Sequence, residues 1–329
     1  MPMEQLRSIT ISLLLLICLG FSGTFARAGG APIDLVNDIT TLQPITPNPH
    51  QHDIVYTNCT AVNFNWKQTA KQAKICVHRQ PESRSRDILY FFHGLGEDER
   101  NWIKKTNYKT VRAVWAELGF EAPLVVNVSF GDLWLLTPAG VKPASGMLEL
   151  FVKQVMPYVE ETLVPDFSGK RYLIGMSMGG FNGAQLALRN PSLFKKVALL
   201  CPATASYPLY PKDQSLAGHL EFHRTLEKYW WKNHANPLLM EIPMYLSRKY
   251  FTAQEWERES PLRLAERAFS PQFPPLFISA IQHDAFGLEE SDRELAKIAL
   301  RAHVKLEWDL VRGGHCDFNP RQLANFLAD

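Results

Sequence analysis

Residues 172–183 read YLIGMSMGGFNG, and this stretch decides the fold. The apolar run at 172–174 predicts a buried strand. Gly175, Ser177 and Gly179 follow in the pattern G-x-S-x-G, and a helical sequence comes directly after them. A serine on such a sharp strand-to-helix turn has an exposed hydroxyl, and small neighbours keep the tight backbone free of clashes. The hydroxyl becomes a useful nucleophile only beside a base, so the rest of the chain must supply one.

Short apolar runs alternate with amphipathic stretches over residues 52–329, which is typical of a mostly parallel sheet with helices on both faces. Several runs are almost wholly hydrophobic, as strands buried on both faces are. We therefore predict an α/β fold with an eight-stranded sheet. The predicted strands are 54–58, 73–78, 88–92, 124–128, 172–174, 197–201, 276–280 and 306–311, and the predicted helices are 110–118, 147–163, 180–189 and 289–302.

Residues 203–272 interrupt this alternation, because they contain no convincing strand and are rich in aromatic and charged side chains. A structureless loop of that length is unusual in a compact domain, so a helical insertion is predicted. It follows a central strand and would cover the carboxyl ends of the sheet, where α/β folds bind ligands. The insertion is therefore a candidate lid, and Trp230 and Trp231 within it are candidate substrate contacts. Trp134, after the fourth strand, is a third candidate, either as a pocket wall or as a core residue.

A second motif, FFHGLG, ends an apolar run at residues 91–96. The tetrahedral intermediate of acyl transfer needs two hydrogen-bond donors aimed at its oxyanion, and backbone N–H groups can serve. The His-Gly turn lets the backbone approach closely, so the N–H of Leu95 is the first predicted donor. The N–H of Met178, directly after the serine, is the second. His93 is a rival for the base, although a histidine in this motif more often supports the loop through hydrogen bonds.

The predicted base is His315, in the glycine-rich sequence GGHCD after the last strand. Its imidazole can take the proton of Ser177 and return it to the leaving group. Asp284 follows the seventh strand and is the predicted acid that orients this imidazole, so the chain order is Ser, Asp, His, as in α/β-hydrolases. Other acids lie near these positions and remain alternatives: Glu289, Glu290 and Asp292 at the start of a predicted helix, and Asp317 on the histidine's own loop.

The first 28 residues predict an export signal. Arg7 supplies the positive charge, residues 9–21 form an apolar stretch too short to span a bilayer comfortably, and Ala-Arg-Ala at 26–28 offers a cleavage site. We therefore expect a periplasmic or secreted protein with no stable membrane insertion after cleavage; an uncleaved anchor is the alternative. The polar, proline-rich residues 29–51 predict a flexible leader.

Four cysteines follow the predicted signal: Cys59, Cys76, Cys201 and Cys316. An oxidising compartment permits disulfides, and Cys59 and Cys76 bracket a segment that looks like a strand pair. A bond between them would contribute about 3 kcal/mol in the chain-entropy model. Four free thiols are an equally good interpretation of the sequence.

The composition is that of an ordinary globular protein, with 46% hydrophobic and 21% charged residues and a formal net charge of +2. Because there is no long basic run, nothing predicts a nucleic-acid partner. The sequence contains no C-x-x-C pattern, so it does not suggest a zinc ribbon.

Together these motifs resemble the "Putative esterase" family of α/β-hydrolases, which includes esterase D, feruloyl esterases and mycolyltransferases. The resemblance covers roughly residues 87–326 without the insertion, and it rests on His93-Gly94-Leu95, GMSMGG at 175–180, NPSLF at 190–194, Asp284 and His315. It implies the α/β-hydrolase fold, a Ser-Asp-His triad, ester or thioester substrates, and neither a metal nor an organic cofactor. The export signal, the insertion and Cys316 beside the histidine depart from the family pattern. The signal argues against the cytosolic role of esterase D, and the insertion leaves the substrate open.

The sequence therefore predicts an exported serine esterase that cleaves a small-molecule or lipid-like carboxylic ester through an acyl-enzyme intermediate. Three alternatives remain: an acyltransferase with the same triad, a serine peptidase, and a non-catalytic ligand-binding protein with the same fold. The sequence does not indicate an oligomeric state.

Overall fold

The computed structural model describes residues 55–328 apart from residues 82 and 168. The predicted signal at 1–28 and the predicted leader at 29–51 lie outside the described residues, as does the first residue of the predicted strand at 54–58.

Eight strands form one sheet in the described part of the chain. They are β1 (Tyr56–Trp66), β2 (Thr69–Arg79), β3 (Ile88–Phe92), β4 (Leu124–Ser129), β5 (Arg171–Met176), β6 (Lys196–Leu200), β7 (Leu276–Ile281) and β8 (Leu306–Val311). Their order across the sheet is β1-β2-β4-β3-β5-β6-β7-β8. The pairs β1–β2 and β2–β4 are antiparallel, and the other five are parallel. The predicted α/β fold with a mostly parallel, eight-stranded sheet is confirmed.

The central strands are buried on both faces, and for this reason they read as continuous apolar runs in the sequence. Side chains on a strand point alternately to opposite faces. In β3, Ile88, Tyr90 and Phe92 accordingly join one hydrophobic cluster, whereas Leu89 and Phe91 join a second cluster on the other face.

The helices cover both faces of the sheet. They are α1 (Asn101–Lys104), α2 (Thr106–Glu117), α3 (the helical run 147–163, which mixes α and π turns), α4 (Met178–Arg189), α5 (Leu216–Asn233), α6 (Pro237–Tyr250), α7 (Ala253–Glu259), α8 (Pro261–Ala268), α9 (Glu289–Arg301) and α10 (Pro320–Ala328). Apolar side chains of α3, α4 and α9 belong to the first cluster, and those of α2 and α10 belong to the second.

Residues 203–272, all of which are described, contain the four helices α5 to α8 and no strand. Each has a recognisable start signal: Ser215 caps α5 through a bond from the N–H of Gly218, Thr252 and Glu255 form a capping box at α7, and proline opens α6 and α8. The segment therefore has the helical content that its sequence predicts.

Two disulfides join the cysteines that lie in the described residues. One links Cys59 of β1 to Cys76 of β2, which lie directly opposite each other in the antiparallel pair. The other links Cys201 to Cys316 across 115 residues of sequence. In the part of the chain that is described, no helix has the length and apolar character needed to cross a bilayer.

Candidate active site

The turn between β5 and α4 holds Ser177 in a conformation that few residues other than glycine adopt, with φ 53° and ψ −114°. Such a backbone persists only where its surroundings enforce it. The N–H of Ser177 donates to the carbonyl of Leu200 at 2.9 Å, and its carbonyl accepts from the N–H of Ala203 at 3.0 Å. Gly179 has no room for a side chain, because a Cβ there would lie only 2.7 Å from the carbonyl oxygen of His93. The tight turn thus leaves the Ser177 hydroxyl at the carboxyl edge of the sheet.

His315 lies within proton-transfer distance of this hydroxyl. Its Nε2 is 2.9 Å from Ser177 Oγ, and its Nδ1 is 3.0 Å and 3.2 Å from the two carboxylate oxygens of Asp284. With the proton on Nδ1, the imidazole donates to Asp284 and accepts from the serine hydroxyl. The structure therefore brings together three residues that are far apart in sequence, in the geometry that general-base activation of a serine requires.

Asp284 is buried, and its surroundings fix the carboxylate. Its side chain has no exposed surface, whereas a quarter of the His315 side chain is exposed. The N–H of Phe286 donates to Asp284 Oδ1 at 2.9 Å. The Phe286 ring also packs on the imidazole of His315, with 4.2 Å between ring centroids. One short loop after β7 thus supplies the acid, a donor that orients it, and an aromatic contact to the histidine.

The other acidic residues have different partners. Glu289 forms an ion pair with Arg293, and Glu290 forms one with Lys232. Asp317 accepts from the N–H of Gly314 at 2.8 Å and so closes its own loop. The Asp292 carboxylate is buried and has no hydrogen-bond partner among the described residues. Burial, together with the nearby charges of Asp284 and Glu289, raises its pKa well above the usual range.

The two predicted oxyanion donors come from the turn after β3 and from the start of α4. Met178 is the first residue of α4, and the first N–H groups of a helix have no partner within the helix. Leu95 follows the end of β3, in a turn where Gly94 donates to Glu97 at 2.9 Å and Gly96 donates to the carbonyl of Asp132 at 3.2 Å. Among the described residues, the N–H of Leu95 donates to no protein group. The roles of Leu95 and Met178 as oxyanion donors stay predictions.

His93 is fully buried and holds this turn in place. The Trp134 indole donates to His93 Nε2 at 3.4 Å, and Ser129 Oγ lies 2.8 Å from the same nitrogen. The proton is consequently on Nδ1, which is 2.8 Å from the carbonyl oxygen of Gly94. Burial lowers the pKa of His93, which favours this neutral form. His93 thus makes the supporting contacts that the sequence favoured over a role as base.

The three candidate tryptophans occupy different environments. Trp134 is only 1% exposed and packs edge-on against Phe92 and Phe130, so its indole has little surface left for a substrate. Trp134 thus has the burial of a core tryptophan, and its alternative role as a pocket wall stays a prediction. Trp230 is half-buried against the core, and Trp231 is 73% exposed. Substrate contact by these two residues stays a prediction.

The helical segment contacts the loop that carries Asp284. The N–H of Asn236, between α5 and α6, donates to the carbonyl of Ala285 at 2.8 Å. The hydroxyl of Tyr229 donates to the carbonyl of Gly287 at 2.9 Å. These bonds connect the candidate lid directly to the acid loop.

Two features of the site were missed by sequence reasoning. The ring contact of Phe286 depends on a turn whose path no local pattern predicts. The disulfide between Cys201 and Cys316 had a usable signal, because both cysteines follow strands at the same edge of the sheet. Cys201, His315 and Cys316 are the one group of three possible metal ligands found in the described residues. Both sulfurs are in the disulfide and the imidazole contacts Ser177, so this group does not suit a metal.

Comparison with solved structures agrees with this architecture. A ferulic acid esterase aligns with a TM-score of 0.58 at 15% identity, covering 84% of this chain and 97% of its own. A structure from a study of two fungal esterases from Rhizomucor miehei aligns with 0.55 at 19% identity, covering 84% and 83%. Brefeldin A esterase, a bacterial homologue of human hormone-sensitive lipase, gives 0.54 at 15% identity, covering 88% and 80%. None of the curated protein sequences matches significantly. The fold is that of the α/β-hydrolases.

The family model described as "Putative esterase" matches residues 67–273, which is more than half of the chain. The chain therefore belongs to this esterase family and is a carboxylic ester hydrolase. The matched range includes the serine turn and the His93 turn, and it also runs through the helical segment 203–272, which the sequence suggested as a departure from the family. It ends before Asp284 and His315, so the roles of these two residues depend on the site's geometry.

Proposed function

We propose that the protein is an exported serine esterase in which Ser177, His315 and Asp284 form the catalytic triad. The observation that carries this proposal is the chain of two contacts, 2.9 Å from Ser177 Oγ to His315 Nε2 and 3.0 Å from His315 Nδ1 to Asp284. Each is within the distance over which a proton can be transferred or held in a hydrogen bond.

In the proposed reaction, Ser177 Oγ attacks the acyl carbon of the ester while His315 Nε2 takes the hydroxyl proton. The N–H groups of Leu95 and Met178 hold the negative charge that develops on the carbonyl oxygen. The tetrahedral intermediate collapses when His315 protonates the leaving alcohol, which leaves an acyl-enzyme. Water then attacks the acyl carbon with His315 again as base, and the acid is released from Ser177. Asp284 stabilises the charged imidazole in both halves.

Export is the second part of the proposal. The predicted signal at residues 1–28 motivates it, and the two disulfides support it because such bonds persist mainly in oxidising compartments. Detection of the mature protein in periplasmic or culture fractions, with an N-terminus at Gly29, tests this part. An N-terminus at Met1 in the cytosolic fraction would refute it.

The triad is tested with the Ser177→Ala variant, measured by p-nitrophenyl ester turnover and by labelling with a fluorophosphonate probe. Loss of a serine nucleophile costs about 10⁶-fold in kcat in a comparable triad enzyme, so turnover should fall to background and labelling should disappear. Ser192→Ala, which removes an exposed hydroxyl after α4, is the matched control and should retain both. Full turnover by Ser177→Ala would refute the triad.

The same assay separates the alternatives. Ester panels that include acetyl, long-chain and feruloyl esters define the acyl preference, and added alcohol acceptors reveal transfer in place of hydrolysis. Labelling without ester turnover, together with cleavage of a peptide library, would favour a peptidase. Failure of the wild-type protein to label would argue against a reactive Ser177.

A further inference from the structure

We propose that the disulfide between Cys201 and Cys316 positions His315 for catalysis, so that its loss lowers turnover more than it lowers substrate binding. The inference rests on the proposed triad and concerns a positioning element, because the disulfide would act through the position of His315 and not on the ester itself.

The Cys201 end of the bond lies in a buried segment that is hydrogen-bonded to its neighbours. Cys201 directly follows β6 and is fully buried. Its N–H donates to the carbonyl of Ser279 on β7 at 2.7 Å, and the preceding carbonyl, that of Leu200, accepts from Ser177 at 2.9 Å. The segment is thus hydrogen-bonded on one side to the nucleophile and on the other to the strand that leads to Asp284.

The Cys316 end of the bond is adjacent to the base. Cys316 is the next residue after His315, and its Sγ is 3.5 Å from His315 Nε2. The residues from Arg312 to His315 are exposed, and Asp317 Oδ2 accepts from Gly314 within the same loop. A longer bond, 3.4 Å from Ser279 Oγ to the carbonyl of Asp317, reaches the sheet. The disulfide is therefore the covalent connection between this exposed loop and the segment that carries the nucleophile's backbone partners.

This placement has a consequence for the reaction. His315 must take a proton from Ser177 and then deliver it to the leaving group, so its imidazole has to remain within hydrogen-bond distance of both. A displacement of about 1 Å in a catalytic group can cost about 10²-fold in rate. Without the bond, only non-covalent contacts hold the loop relative to Ser177, namely the bonds from His315 to Asp284, the Phe286 ring contact and the longer bond to Ser279. The proposal concerns the position of the imidazole and not the binding of the ester. The expected effect is therefore on kcat rather than on KM.

The chain provides a matched control in its other disulfide. Cys59 and Cys76 join β1 to β2 at the antiparallel edge of the sheet, where the two strands are already hydrogen-bonded along their length. Three strands, β4, β3 and β5, follow β2 in the sheet order up to the serine turn. Removing this bond removes a covalent constraint without changing any contact of the triad.

The experiment compares Cys201→Ala/Cys316→Ala with Cys59→Ala/Cys76→Ala. For each protein, kcat, KM and the rate of fluorophosphonate labelling are measured well below its own Tm. We expect kcat and the labelling rate to fall about 10–100-fold in the first variant with KM changed less than about threefold. In the control, kcat should stay within about twofold, even where Tm falls. Equal kcat in the two variants, or a change confined to KM, would overturn the proposal.

Should Cys201→Ala/Cys316→Ala fail to fold, reduction of the Cys59→Ala/Cys76→Ala protein keeps the proposal testable. A dithiol reagent attacks one sulfur, its second thiol displaces the mixed disulfide, and the reagent leaves as a cyclic disulfide while Cys201 and Cys316 become thiols. Activity should fall in proportion to the thiols released and return on reoxidation. Full activity of the reduced protein would overturn the inference alone, whereas activity that persists in Ser177→Ala would overturn the proposed triad.

Discussion

Gly175 lies two residues before the nucleophile, where any side chain would collide with the turn. A Cβ there would lie 2.7 Å from the carbonyl carbon of Gly179, 3.0 Å from Gly180 Cα, and closer still to the Gly179 carbonyl oxygen. All three atoms are backbone, so no side-chain rotation can relieve the contact. The first turn of α4 would have to move by more than about 0.7 Å, the difference between 2.7 Å and the 3.4 Å at which ordinary contact begins, because the Gly179 oxygen is closer still.

The size of the effect follows from this displacement. The first turn of α4 contains the N–H of Met178, the second proposed oxyanion donor, and loss of one such donor costs about 10²–10³ in kcat. A displacement of this size misplaces the donor without removing it, so we expect Gly175→Ala to lower kcat about 10–100-fold. Overpacking against a rigid backbone should also cost about 1–3 kcal/mol in the free energy of unfolding.

The assay is ester turnover together with thermal unfolding, and Gly183→Ala is its control. Gly183 lies on the same helix, but the nearest atom to its added methyl group is the flexible end of Leu199, at 3.1 Å. That variant should retain kcat within about threefold, because the end of the Leu199 side chain can move away from the methyl group. Alanine also favours the helix over glycine by about 0.5–1 kcal/mol, so Tm should not fall. Wild-type kcat and Tm in Gly175→Ala would refute the reasoning.

Two further predictions concern the pH dependence of stability. Burial lowers the pKa of His78 to about 4, whereas in the unfolded chain this histidine protonates near pH 6.5. The free energy of unfolding therefore keeps its full value above pH 6.5 and falls as the pH drops towards 4, by about 2 kcal/mol at pH 5. His78→Asn should reduce this loss in a comparison of Tm at pH 7 and 5, and an unchanged loss would contradict the assignment. The raised pKa of buried Asp292 has the opposite effect: the free energy of unfolding falls as the pH rises above 3.8, because the unfolded chain loses this proton before the folded protein does. Asp292→Asn should therefore raise Tm more at pH 8 than at pH 5, and an equal change at both would argue against a neutral Asp292.

Much of the fold could be predicted because the decisive signals are local. The runs at β3 and β8 have the bounds that the sequence predicts, and the sharp serine turn follows from the spacing of its glycines. Strand ends were less accurate, since pairing rather than composition sets them. β1, for example, extends to Trp66 because every residue from Tyr56 onward has a partner in β2.

The environment of individual side chains could not be predicted in the same way. Trp134 has the sequence context of a pocket wall, but its burial depends on Phe92, Phe130 and His93, which come from other parts of the chain. The pairing of Cys201 with Cys316 likewise depends on strand order. The sequence suggested only the pair Cys59 and Cys76, whose residues lie close together along the chain. Tertiary packing decides both.

Strand order also explains how one site can combine distant residues. Ser177, Asp284 and His315 follow β5, β7 and β8, and parallel strands place these three ends at the same edge of the sheet. β6 lies between β5 and β7 and supplies no member of the proposed triad. The end of β6 nevertheless contacts both neighbouring strands: the carbonyl of Leu200 accepts from Ser177, and the N–H of Cys201 donates to Ser279. The disulfide joins this end of β6 to the loop after β8, which carries His315. We therefore expect its loss to change the rate of the reaction as well as the stability of the fold.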